Sequence, residues 1–161
     1  MKHTERDWFR GFSWETVLSL NASLCEAQQT PQQLRDQACR AARQAWEQGC
    51  TSRLSLPDAI DVCRRCYDLG PFVFNNGNTF AAGARKMLED WLQLMPPVEA
   101  QIARTTVGHY VVGQITRKEM VEVLANFESR WKINGVDNVV AAPLSSPPLR
   151  ELRPQAEARA S

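Results

Sequence analysis

TPQQLRDQACRAARQAWEQG, residues 30–49, decides how the rest of this chain is read. Leu34, Ala38, Ala41, Ala42, Ala45 and Trp46 recur at helical spacing, and Arg35, Arg40 and Arg43 lie largely away from that stripe. Thr30 has the side chain of an N-cap, Pro31 the fixed φ of a first helical residue, and Gly49 is placed to end the helix. A helix with one apolar face has to bury that face against another element, so the flanking segments are tested for the same period.

They carry it. Residues 14–28 read as a first helix capped by Ser13, with Trp14, Val17, Leu18, Leu24 and Cys25 inward. SLPDAIDVCRRCYDLG, residues 55–70, repeats the start and stop: Ser55 caps, Pro57 and Asp58 open, Gly70 closes, and Ile60, Cys63, Cys66 and Tyr67 face inward. A fourth helix is expected from Thr79 to Met95, stopped by Pro96 and Pro97, and a fifth from Val98 to Gly113. Thr116 with Glu119 forms a capping box for a sixth, ending near Lys132. No period-two run is long enough for a sheet. The expected fold is all-α: one domain of about six helices over 13–132, an aromatic N-terminal arm over 1–12 and a flexible, proline-rich tail over 133–161. GVDNVVAAP, residues 135–143, reads as a short strand-like arm within that tail.

With 161 residues and a net charge of +1, the chain suits one domain and argues against whole-surface binding to nucleic acid or anionic membrane. No apolar run approaches the roughly 20 residues that span a bilayer, and MKHTERDWFRGFSW has no secretory core, so a cytoplasmic protein without membrane contact is expected. Five cysteines, an odd number, predict reduced thiols.

PFVFNNGNTFAAGARKML, residues 71–88, is the least ordinary stretch. Asn75, Asn76, Gly77, Asn78 and Thr79 stand at a helix start, where unpaired N–H groups can hold a phosphate, a carboxylate or a partner. The alternative is a closed turn, with Asn78 as cap, Gly77 turning the chain and the other amides bonding local backbone. FNNGNTFAAGARKML, with GHYVVGQITRKEMVEVL downstream, resembles Fic and Doc proteins over about residues 56–127, mainly through Gly77 and Asn78. That resemblance implies a nucleotidyl- or phosphoryl-transferase scaffold using the loop Asn75 to Thr79. It also puts Phe72 at the family's catalytic histidine and Phe80 at its phosphate-binding arginine, which implies a catalytically dead relative or a reused scaffold.

Cys63 and Cys66 share a helical face, and with His109 they are the one metal set the sequence offers; buried core thiols are the alternative. His109 falls on the stripe of Val98, Ile102, Thr105 and Val112, where a hydrogen-bonded core histidine is expected and a catalytic one is the alternative. Asp58 and Asp61 read as charges favouring a helix start. No pattern calls for a cofactor, and no catalytic residue is assigned. Trp8, Phe9, Phe12 and Trp14, with Trp131 further on, either pack on the helical body or anchor a partner. The expected role is a non-catalytic adaptor, assembly factor or regulatory subunit that touches another protein or a second copy. A nucleic-acid-binding subunit using the arginine face of the second helix with Arg64 and Arg65 is the third reading.

Overall fold

Ser13, Ser55 and Thr116 start helices as their side chains predict, because each oxygen meets a backbone N–H that the helix itself leaves unpaired. The computed structural model describes residues 5–133, with side chains as far as Phe127. Among these residues the protein forms seven helices and no strand: α1 (Trp14–Ala27), α2 (Asp36–Cys50), α3 (Leu56–Leu69), α4 (Asn76–Met87), α5 (Glu89–Gln93), α6 (Pro97–Val111) and α7 (Arg117–Ile133). The chain is all-α. It divides into two units, Met1–Asn126 and Phe127–Ser161; the packing below belongs to the first. The expected tail and strand-like arm lie outside the described residues.

Seven helices replace the expected six because the fourth breaks. At Leu88 the N–H is shared between Ala84 O and Arg85 O, at 3.3 and 3.1 Å, so the turn tightens toward i→i+3 geometry and α5 begins anew. Leu88 is fully buried there.

The second helix starts five residues later than Thr30 and Pro31 suggest. Thr30 closes α1 instead: its N–H reaches Cys25 O at 2.9 Å, past Gln29 at φ +55°. The chain then runs extended and pairs with the segment after α3. Arg35 N donates to Pro71 O at 2.8 Å, and Val73 N donates to Gln33 O at 3.0 Å, with Leu34 opposite Phe72. Leu34 therefore faces outward, 41 % exposed, not into the core. Gly49 does not end α2, which continues to Cys50. It is buried, and a Cβ there would lie 3.3 Å from both Phe9 and Val62, so glycine allows a close approach. Gly70 does end α3, in the left-handed region at φ +65°.

The core is aromatic. Trp14, Phe72 and Phe80 pack with centroid distances of 5.7–6.4 Å, and Trp46 continues the cluster from Phe80. Phe9 meets Trp46 edge-on at 4.8 Å, a favoured ring geometry, and Phe12 lies at 5.2 Å. Trp46 Nε1 donates to Phe12 O at 2.8 Å, which satisfies the polar atom of a fully buried indole. The aromatic arm thus lies over α2, and Phe9, Phe12 and Trp14 belong to the interior.

Candidate functional site

Two features are candidate sites: the asparagine loop, and a groove where the arm meets α4 and α5.

In the loop, Asn75 takes the left-handed conformation (φ +58°, ψ +25°), and α4 begins at Asn76. The turn belongs to Asn75, a residue type that tolerates this region, and not to Gly77. Gly77 sits in the first turn of α4, where a Cβ would lie 3.2 Å from Val112 and 3.5 Å from Tyr67. Nor is Asn78 the cap; its amide donates to Asn75 Oδ1 at 3.2 Å. Asn76 clasps the loop to the end of α3, donating to Tyr67 O at 3.0 Å and accepting from Phe72 N at 3.3 Å. Thr79 is buried, and its hydroxyl donates to Asn75 O at 2.7 Å.

Beneath the loop lies Asn21, fully buried on α1. Its Nδ2 donates to Phe74 O at 2.9 Å and to Thr79 Oγ1 at 3.0 Å, while its Oδ1 accepts from Gln32 Nε2 at 3.2 Å. One amide therefore joins α1, the extended 30s segment, the loop and α4. Asn21, being polar, is not among the apolar residues expected inward on α1, whereas Leu18 and Leu24 are, and those two are half-buried. The available signal was position: Asn21 stands four residues after Val17 and four before Cys25, on the buried line of α1. The loop's outward side is Val73, Phe74 and Asn78.

The groove is an open cavity of about 430 Å³ lined by Arg6, Trp8, Phe12, Lys86, Met87 and Trp91, with Asp7, Arg10, Gly11 and Asp90 completing it. Trp8 is half-buried, and its Nε1 donates to Leu54 O at 3.0 Å, which holds the indole at the groove. The Arg6 guanidinium lies 5.7 Å from the Trp8 ring centroid, and the Lys86 ammonium 5.7 Å from that of Phe12. Trp131 falls on the backbone of α7, and its side chain is outside the described residues.

The metal set does not assemble. Cys63 and Cys66 are fully buried on α3, whereas His109 is on the exposed side of α6. Among the described residues no three His, Cys, Asp or Glu side chains gather to hold a metal ion. Burial pushes the Cys66 thiol up to about 12 and raises Cys63 well above its ordinary value. The five cysteines are free thiols.

The arginine face of α2 is partly engaged. Arg35 donates to Gly70 O and Phe72 O, and Arg43 pairs with Glu47 at 2.8 Å and Glu15 at 3.6 Å. Arg64 pairs with Asp68 and donates to Tyr110 O at 2.9 Å. Asp58 and Asp61 do more than open α3: Arg117 bridges them at 3.1 and 2.9 Å, and the Tyr110 hydroxyl donates to Asp61. Burial, with that bond to Asp61, pushes the Tyr110 phenol up to about 12. This network ties α6 and the start of α7 to α3. Its i,i+3 aspartates were visible in the sequence; their partners 49 and 56 positions away were not.

No family model, no curated protein and no solved structure matches this chain. The resemblance to Fic and Doc proteins is therefore corrected: nothing supports it. The two residues that carried it have local structural roles, Gly77 in the packing of α4 and Asn78 in a bond to Asn75.

Proposed function

We propose that this chain is a non-catalytic helical adaptor, assembly factor or regulatory subunit of the cytoplasm, acting by contact with another protein or a second copy of itself. The observation that carries this reading is on α6. The helix buries Ala100, Ala103, Val107 and Val111, yet Val98 is 72 % and Ile102 46 % exposed, one turn apart on its outer side. A pair of large aliphatic side chains on one exposed helix face is the kind of surface that gains by covering. Of the stripe Val98, Ile102, Thr105, His109 and Val112, Val98, Ile102 and His109 are exposed and Thr105 and Val112 half-buried. Leu94, 42 % exposed at the end of α5, and Val73 and Phe74 on the asparagine loop offer further apolar contact area. Among the described residues no helix is long and apolar enough to cross a membrane.

Size-exclusion chromatography with light scattering, on the protein alone and on complexes recovered from its own cells, tests this. Wild type should self-associate or travel with a partner, and Val98→Glu with Ile102→Glu should abolish that without lowering the melting temperature. A strictly monomeric wild type that recovers nothing overturns it.

A further inference from the structure

The asparagine loop carries an inference of a different kind, independent of the α6 surface. Asn76 precedes Gly77, and that dipeptide is chemically labile. A glycine nitrogen, with no Cβ beside it, is free to attack the side-chain carbonyl carbon of the asparagine before it. Asn75 and Asn78 are followed by residues that carry a Cβ, which crowds the same approach. The Gly77 N–H has no acceptor among the described residues, being one of the donors that the first turn of α4 leaves over. The nucleophile is therefore unengaged, and only geometry restrains it.

Conformation and hydrogen bonding supply that restraint. Asn76 is the first helical residue of α4. A helical ψ of about −42° turns the next nitrogen away from the side-chain carbonyl carbon, whereas ring closure needs a more extended ψ. Asn76 Nδ2, the atom that would leave, donates to Tyr67 O at 3.0 Å, and Oδ1 accepts from Phe72 N at 3.3 Å. Both bonds hold the amide toward the end of α3. The fold also retains the labile dipeptide, because a Cβ on Gly77 would lie 3.2 Å from Val112 and 3.5 Å from Tyr67.

We propose that Asn76–Gly77 is a spontaneous modification site gated by this loop: closed, the loop protects it; opened, it converts irreversibly. Gly77 N bonds to Asn76 Cγ and the Cγ–Nδ2 bond breaks. Nδ2 departs as ammonia with the proton that Gly77 N gives up, leaving a cyclic imide. Water then opens the ring at either carbonyl, giving aspartate or isoaspartate. Neither product restores the clasp. A carboxylate has no N–H for Tyr67 O, and isoaspartate adds a backbone atom at the start of α4. A transient opening thus becomes a permanent one, in the loop that exposes Val73 and Phe74.

The test follows the full chain by peptide mass analysis, with aspartate and isoaspartate products separated by chromatography, in mildly alkaline buffer with and without guanidinium chloride. Asn134–Gly135, the same dipeptide outside the described residues, reports in the denatured chain the rate set by sequence alone. There Asn76 should match Asn134, and in the folded protein it should convert roughly tenfold or more slowly than in denaturant, the factor reading how seldom the loop opens. The converted species, refolded, should exchange its Phe72 and Thr79 amides faster than wild type, with α2 unchanged. Equal rates for Asn76 in folded and denatured protein, no conversion in the denatured chain, or wild-type exchange at Phe72 and Thr79 after conversion each overturns the proposal. None of these readouts depends on Val98 or Ile102, so the contact reading stands or falls separately.

Discussion

Asn21 donates to Thr79 across 58 positions of sequence, at 3.0 Å, in a site from which water is excluded. The same amide group holds Phe74 O. Replacing Asn21 by alanine takes the amide donor from the buried Thr79 hydroxyl and from Phe74 O and opens a small void. Unfolding in urea should show a loss of about 1–3 kcal/mol. Amide exchange at Thr79 and Phe80 should accelerate more than exchange in α3, because the loop loses its anchor while Asn76 still clasps Tyr67.

The arm is part of the stability of the helical body. Phe9→Ala and Phe12→Ala each remove a ring packed on Trp46, and each should cost about 3–5 kcal/mol. The measured sign of this is a red shift of tryptophan emission, since Trp46 is fully buried in wild type.

Two glycines should respond with opposite signs. Gly70→Ala forces a Cβ into the left-handed region at φ +65° and should destabilise by about 1–2 kcal/mol. Gly83→Ala, inside α4 with its nearest neighbours at 3.8 Å, meets no clash and should stabilise by about 0.5–1 kcal/mol through helix propensity. Paired thermal melts decide both.

The pH dependence has an alkaline and an acidic arm. Tyr110 has a folded-state pKa raised from 10.0 to about 12, so the native state holds that proton more tightly than the unfolded chain. Its contribution is complete below pH 10 and is lost as pH rises toward 12. Tyr110→Phe should flatten that part of the stability curve relative to wild type. Glu119 is held below its ordinary 4.5 by the N–H and hydroxyl of Thr116. Its contribution is present above 4.5 and fades as pH falls through the lower folded value. Glu119→Gln should remove that acid-side slope.

Thiol reactivity should separate the cysteines. Cys39 and Cys50 are partly exposed, and burial raises them only moderately, whereas Cys63 and Cys66 are sealed in the core. Iodoacetamide on native protein, followed by peptide mass analysis, should label Cys39 and Cys50 first. Labelling of Cys63 or Cys66 at the same rate would contradict the packing of α3 against α2.

Helix identity was readable residue by residue where the cause is local. Ser13, Ser55, Gly70 and the Thr116–Glu119 box act through atoms a few positions away, and each does what its chemistry predicts. Thr30 and Gly49 show where local chemistry misleads. Thr30 was equally fit to finish α1 or to cap α2, and the pairing of residues 33–35 with 71–73 chose the first. Gly49 was equally fit to stop a helix or to admit a ring, and Phe9 chose the second.

Faces, and with them the candidate sites, follow the same division. The periodicity of α6 offers two apolar stripes, and a chain read alone has no means of ranking them. Packing against α3 and α4 buries the one with Ala103, Val107 and Val111 and leaves Val98 and Ile102 outside. The all-α class and most helix ends were written in short-range hydrogen bonding, which depends on neighbours along the chain. Which face is inside, that Asn21 is the hub of the asparagine loop, and that Arg6 and Lys86 meet at one groove depend on residues brought together from far apart, and only the folded packing specifies those.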